Sequence, residues 1–256
     1  MSTILMIPGF TGNKRLWGKT NLFFTKQHFN CHPVTLPLRS SLTKKPKPNL
    51  GNISTRNDIN FLRGKIADIR DELGNKEKII GMGHSRGALL ALMLQQEAAQ
   101  KDRKLFDKII LITPATPAGI NIINRSIIRS LTSLRPIFPP GILSNRPVRR
   151  SFKETVRAVL DENMPEKELL DIYNNLCWES GKVVRELLSK KPKINPTMIN
   201  VPVLVVGATR DKMIPPKTAL EIATMLNADY REIYGPHLLL KGPARQEMCK
   251  MVLNWF

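Results

Sequence analysis

The 256-residue chain is predicted to fold as an α/β architecture: a mostly parallel sheet of about six strands, flanked by helices, with a helical insertion before the penultimate strand. Three observations predict it. Short apolar runs alternate with longer amphipathic stretches, the rhythm that builds parallel sheets from βα units. Several of those runs are apolar at nearly every position, as in strands covered on both faces. One long stretch, 117–199, breaks the rhythm with helical patterning alone.

The elements are read in chain order. Ile4 to Ile7 is the first strand, and Leu16 to Phe29 a helix. Pro33 to Leu36 is the second strand candidate. From Asp58 to Leu73, apolar residues recur at Ile59, Leu62, Ile66 and Ile69, a helical spacing. Lys78 to Met82 is the third strand and Ala88 to Ala99 a strongly apolar helix. Ile109 to Thr113, Val203 to Val206 and Tyr230 to Tyr234 complete the sheet, and a helix over Ala244 to Trp255 closes the chain. Right-handed crossovers between parallel strands then limit the topology. Between about Thr116 and Asn200 no strand is expected. Prolines are frequent there, and helices are read at Phe152 to Leu160, Glu166 to Leu176 and Gly181 to Leu188. The core is therefore divided as 1–116 and 200–256, with 117–199 forming a helical cap over the sheet's C-terminal edge.

Composition narrows the class. Hydrophobic residues make up 42% and charged residues 24%, the balance of a water-soluble globular chain. No apolar run approaches the roughly 20 residues that span a bilayer. Met1 to Pro8 does not read as a signal peptide. Cys31, Cys177 and Cys249 form no close pair and no metal-ligand spacing, so reduced thiols in a cytoplasmic protein are expected. The net charge is +19. A charge of that size suits a solvated basic surface, and also an anionic membrane or nucleic acid. No nucleic-acid-binding signature accompanies it, so no nucleic-acid partner is expected.

The strongest local signal is Gly83-His84-Ser85-Arg86-Gly87, set between the strand ending at Met82 and the helix starting at Ala88. A serine at a tight strand-to-helix turn has a strained backbone, and glycines at 83 and 87 let the turn close. The turn lifts the hydroxyl above the sheet edge. The Arg86 amide, at the helix N-terminus, then faces a developing oxyanion.

A serine hydroxyl needs a base. Of four histidines, His84 adjoins the serine and points away from its hydroxyl in such a turn, while His28 and His32 precede the elbow. His237 follows the last strand, at the edge where open α/β sheets build sites. Asp211 follows the strand Val203 to Val206 at the same edge and supplies the orienting carboxylate. The loop after the preceding strand, Thr113-Pro114-Ala115, offers no acid. The glycines of Pro8-Gly9-Phe10-Thr11-Gly12 let the first loop turn toward the serine, which makes the Phe10 amide the second oxyanion donor.

These residues resemble the α/β-hydrolase superfamily over nearly the whole chain: Ile7 to Phe10, Gly83 to Gly87, Gly207 to Pro215, and Gly235-Pro236-His237. More narrowly, Thr113 to Gly119 and Glu179-Ser180-Gly181 look like a group of small capped bacterial serine hydrolases. The resemblance implies an α/β-hydrolase fold with the order Ser, Asp, His, and an eight-stranded sheet whose usual first two strands are absent here. It departs from the family pattern at Pro8-Gly9, where many relatives have His-Gly. Leu38-Arg39-Ser40-Ser41 stands where Leu-Arg-Gly-His-Gly is usual, and Gly235-Pro236-His237 around the base. Serine at 85 sets the chain apart from relatives that use an aspartate nucleophile.

The expected chemistry is cleavage of a carboxylic ester or thioester through an acyl-enzyme, on a small-molecule acyl substrate, without metal or cofactor. The same triad also serves lyases and perhydrolases, and a non-catalytic basic membrane- or anion-binding protein is a reading from a different class. Ile120 to Leu143 is apolar enough to form an acyl pocket. Residues 121–160 carry eight cations against one acid, a pattern suited to an anionic membrane surface or an acidic substrate.

Overall fold

The computed structural model describes residues 2–74, 77–120, 145–189 and 192–256, together with the backbone of Leu134–Arg135. Among the described residues the chain forms nine strands: β1 (Ser2–Ile7), β2 (Asn30–Pro33), β3 (Lys78–His84), β4 (Lys108–Ile112), β5 (Leu134–Arg135), β6 (Pro147–Arg150), β7 (Glu179–Ser180), β8 (Val203–Ala208) and β9 (Asp229–Ile233). Eight α-helices accompany them: α1 (Gly18–Lys26), α2 (Thr55–Leu73), α3 (Arg86–Ala99), α4 (Phe152–Val159), α5 (Glu166–Asn174), α6 (Gly181–Ser189), α7 (Pro216–Leu226) and α8 (Ala244–Trp255).

Six strands form one sheet in the order β2-β1-β3-β4-β8-β9, and every neighbouring pair is parallel. The continuous apolar runs are explained by the pleat. Successive side chains point to opposite faces, and both faces are covered. Leu5, Ile7, Ile79, Ile109, Leu111, Val203 and Val205 pack under α2, α3 and α7. Ile4, Met6, Ile80, Met82, Ile110, Ile112, Leu204 and Val206 pack under α1 and α8 on the other side. α2 presents the expected stripe of Ile59, Leu62, Ile66 and Ile69, and Ser54 starts it with a capping box that Asn57 completes.

Several elements differ from expectation. The second strand is Asn30–Pro33, not Pro33 to Leu36. Its ladder pairs Thr3 with Asn30 through Met6 with Pro33. Val34 and Leu36 are buried against the α2 face of the core, so their apolar character reflects packing beyond the ladder. Helix α7 was not anticipated, although Ala219, Ile222, Ala223 and Leu226 recur at helical spacing and all face the core. The first helix is shorter than expected, a 3₁₀ turn at Lys14–Trp17 leading into α1. The insertion is not purely helical: β5, β6 and β7 form a small antiparallel sheet. These strands are two to four residues long and one of them is wholly polar, too short for any periodicity to register. The apolar acyl-pocket segment expected at Ile120 to Leu143 lies outside the described residues, apart from Ile120 and the two-residue strand β5. Among the described residues no helix is long and apolar enough to cross a membrane.

Candidate active site

The parallel sheet brings the C-terminal ends of β1, β3, β8 and β9 to one edge, and the loops leaving those ends carry the candidate residues. Ser85 is held between β3 and α3 at φ 52°, ψ −118°, a left-handed conformation that a non-glycine residue adopts only under restraint. The restraint is visible. The Ser85 amide donates to the Ile112 carbonyl at 2.8 Å, and its own carbonyl accepts from the Ala88 and Ala115 amides at 3.1 and 3.0 Å. A Cβ on Gly83 would collide with the backbone of Gly87 and Ala88, and one on Gly87 with the carbonyls of Ile7 and Pro8. Both glycines are therefore required by close backbone approach.

The structure brings Ser85, His237 and Asp211 together. His237 Nε2 lies 2.9 Å from Ser85 Oγ, and His237 Nδ1 lies 2.7 Å from Asp211 Oδ2. The other oxygen of Asp211 accepts the Met213 and Ile214 amides at 2.7 and 2.8 Å. The carboxylate is thus fixed on both sides, with no exposed side-chain surface. An ionised carboxylate on Nδ1 selects the tautomer with the proton there, which leaves Nε2 free to accept from the serine hydroxyl.

His84 has a different task. Its Nε2 donates to the His237 carbonyl at 3.0 Å, and Thr113 Oγ1 donates to the same carbonyl at 3.0 Å. Burial, and then the neighbouring His237, lower the His84 pKa to about 3, so it stays neutral and serves as a fixed donor. His84 and Thr113 therefore hold the backbone of His237, with the two imidazole centroids 5.1 Å apart.

Phe10 and Arg86 flank the serine. The first-strand loop packs so closely that a Cβ on Gly9 would meet Ser85 Cβ at 2.9 Å. Arg86 is the first residue of α3, where amides have no intrahelical acceptor. Among the described residues neither the Phe10 nor the Arg86 amide donates to another protein group.

A buried charge network was missed. Arg86 Nη2 contacts Asp58 Oδ2 at 2.7 Å. Arg39 grips the same carboxylate at 2.7 and 2.8 Å and reaches Glu179 Oε1 at 2.6 Å. Glu179 Oε2 accepts the Thr11 amide at 3.4 Å, and the Cys177 amide donates to the Thr11 carbonyl at 2.8 Å. Strand β7 of the insertion thus pins the loop that carries Phe10. Burial alone raises the Glu179 carboxyl, but Arg39 and Arg86 outweigh it and hold it below the ordinary carboxylate range. The sequence signal was faint. Asp58 closes the polar first turn of α2 just before the apolar stripe that starts at Ile59, and Arg39 follows Leu38 in a loop. Nothing local joins them.

A cavity of about 140 Å³ opens over the serine, lined by Phe10, Ser85 and His237 from the core and by Arg150, Val159 and Leu187 from the insertion, among others. The family model for the alpha/beta hydrolase family matches residues 4–244. The chain belongs to that family. No curated protein sequence matches it significantly. Solved structures of similar fold include a pyrethroid hydrolase from Sphingobium faniae, 13% identical over 99% of this chain and 96% of that one, at a TM-score of 0.73. An Arabidopsis methylesterase, MES16, is 13% identical over 99% and 98%, at 0.72. Tomato methylketone synthase I complexed with 2-tridecanone is 15% identical over 99% and 96%, at 0.72. At such identities the likeness is one of fold. Within this alpha/beta hydrolase the serine, histidine and aspartate stand at the ends of β3, β9 and β8, in the chain order Ser, Asp, His.

Proposed function

We propose that the protein is a serine hydrolase that cleaves a carboxylic ester or thioester of a small-molecule acyl substrate through an acyl-enzyme. The observation that carries this reading is the unbroken chain of contacts from Asp211 through His237 to the Ser85 hydroxyl, opening on one cavity. In the proposed cycle His237 Nε2 takes the Ser85 proton as Oγ bonds to the substrate carbonyl carbon. Negative charge gathers on the carbonyl oxygen, where the Phe10 and Arg86 amides donate. Each such donor is typically worth about 10² to 10³ in rate. The imidazolium, stabilised by Asp211, gives its proton to the leaving group as the ester bond breaks. Water then enters, His237 takes its proton as the water oxygen bonds to the acyl carbon, and the proton passes to Ser85 Oγ as the acyl–Oγ bond breaks and the free acid departs.

The insertion supports an acyl substrate as well, since most of the side chains it contributes to the cavity are apolar. An uncharged alkyl fluorophosphonate tests the reading. Covalent labelling of Ser85 in the folded protein, lost in Ser85→Ala, is expected. No labelling of folded wild-type protein overturns the hydrolase assignment, including its acyl-enzyme.

A further inference from the structure

Of the two arginines that line the cavity, Arg150 is the one that forms no ion pair among the described residues; Glu154 acts on it only at longer range. It ends strand β6, is only 7% exposed, and lines the same cavity as Ser85 and His237. Its guanidinium carbon lies 6.0 Å from the centre of the ring of Phe10, which lines the same cavity. Its Nε has no hydrogen-bond partner, and among the described residues no carboxylate pairs with it. Glu154 is the nearby acid, and it is engaged by Arg157 at 2.8 Å. Burial lowers the Arg150 pKa to about 10, which leaves the group charged at neutral pH. The rest of the cavity wall is mostly apolar, with Leu16, Val159, Leu160, Leu176, Ile214 and Leu238.

An unpaired buried cation is costly to keep. The neighbouring arginines show the ordinary solution, since Arg39 and Arg86 each meet a carboxylate. Among the described residues Arg150 has no such ion pair, and it lines the cavity that holds Ser85. A planar guanidinium fork matches a carboxylate in a bidentate fashion. With a single cation outside an ion pair among the described residues and about 140 Å³ available, one small carboxylate fits the chemistry better than a multiply charged headgroup.

We propose that the substrate is an ester carrying a second, free carboxylate, which Arg150 holds while Ser85 attacks the ester carbonyl. The inference rests on Ser85 being the nucleophile. It makes the protein a hydrolase of half-esters or of carboxylate-bearing esters, and the +19 net charge would draw such anions in.

The test uses two pairs of esters. 4-Nitrophenyl hydrogen glutarate is set against neutral 4-nitrophenyl pentanoate. 4-Acetoxybenzoate, with the carboxylate on the leaving group, is set against its methyl ester. In at least one pair, kcat/KM for the anion is expected to exceed that for the neutral partner, corrected for their uncatalysed rates, by roughly 10- to 100-fold, the range of a charge-assisted hydrogen bond. Arg150→Gln and Arg150→Met should both bring that ratio close to one, and Arg150→Lys should recover part of it. Circular dichroism confirms that each variant is folded. In parallel, glutarate should slow fluorophosphonate labelling of Ser85 in the wild type and not in Arg150→Gln. If Ser85 labels normally but neither pair discriminates and glutarate gives no protection, the carboxylate proposal fails while the serine-hydrolase reading stands. Equal losses on both members of a pair in Arg150→Gln also overturn it. Stronger protection by inorganic phosphate than by glutarate replaces the carboxylate with a phosphorylated substrate. Failure of Ser85 to label at all overturns the underlying reading instead.

Discussion

Arg86 and Arg150 line one cavity and are both buried, yet their electrostatic surroundings are opposite. Arg86 points back into the core, where Asp58, Arg39 and Glu179 complete a set of two cations and two anions. Arg150 comes from the insertion and meets an aromatic ring and apolar walls. The difference separates an arginine that ties elements together from one that, as proposed, holds the substrate. A buried charge with a built-in partner ties elements together: here α2, the Arg39 loop, the elbow and β7. A buried charge without one keeps its interaction free energy available for a ligand.

The largest effect sets the scale for that comparison. Ser85→Ala and His237→Ala should each lower ester turnover by about 10⁴-fold or more, measured as kcat on an activated ester. Neither change should disturb the Arg86 network. The stability of the two arginine sites should then separate. Asp58→Ala strands Arg39 and Arg86 without a shared carboxylate, and a loss of about 3–5 kcal/mol in urea unfolding is expected. Arg150→Met removes a cation with no ion-pair partner among the described residues, so no loss is expected, and a gain of up to about 1–2 kcal/mol. Destabilisation by Arg150→Met comparable to that of Asp58→Ala would break the contrast.

A smaller effect concerns the third buried basic group at the site. In the unfolded chain His84 takes up a proton near its ordinary 6.5, and in the fold not until about 3. Between those values the unfolded state binds more protons, so this residue makes stability fall as pH drops from about 6.5 toward 3. His84→Gln keeps a donor for the His237 carbonyl and should flatten that acid-side slope, read as melting temperature against pH. An unchanged slope would mean that His84 is not the titrating group.

Much of the sheet was legible because its signal is dense. β1, β3, β4 and β8 are runs in which nearly every side chain is buried on one face or the other. The edges were less legible. In β2 every residue is half-buried and the apolar residues lie beyond the ladder, so the strand was placed three residues too late. The strands of the insertion carry no pattern, because pairing across the chain, not side-chain alternation, creates them.

The site divides along the same line. Ser85, with glycines at 83 and 87, is a local matter: a strand, a helix and a turn too tight for a Cβ at either glycine determine it within about ten residues of sequence. His237 and Asp211 followed by position, since the end of a parallel strand points to one known edge. Their 2.7 Å contact, however, depends on β8 and β9 lying side by side. The charge network, and the lack of an ion pair to Arg150 among the described residues, were decided by tertiary structure alone. Arg39, Asp58, Arg86 and Glu179 are separated by 19 to 140 positions, and whether an arginine is paired depends on which distant carboxylate the fold delivers. Periodicity and turn chemistry act over a few residues, so the sequence by itself determined the inner strands of the sheet, the elbow and the chain order of Ser85, Asp211 and His237. Electrostatic partnership acts through space, and only the packed chain decided which arginines meet a carboxylate among the described residues and which one lines the cavity without an ion pair.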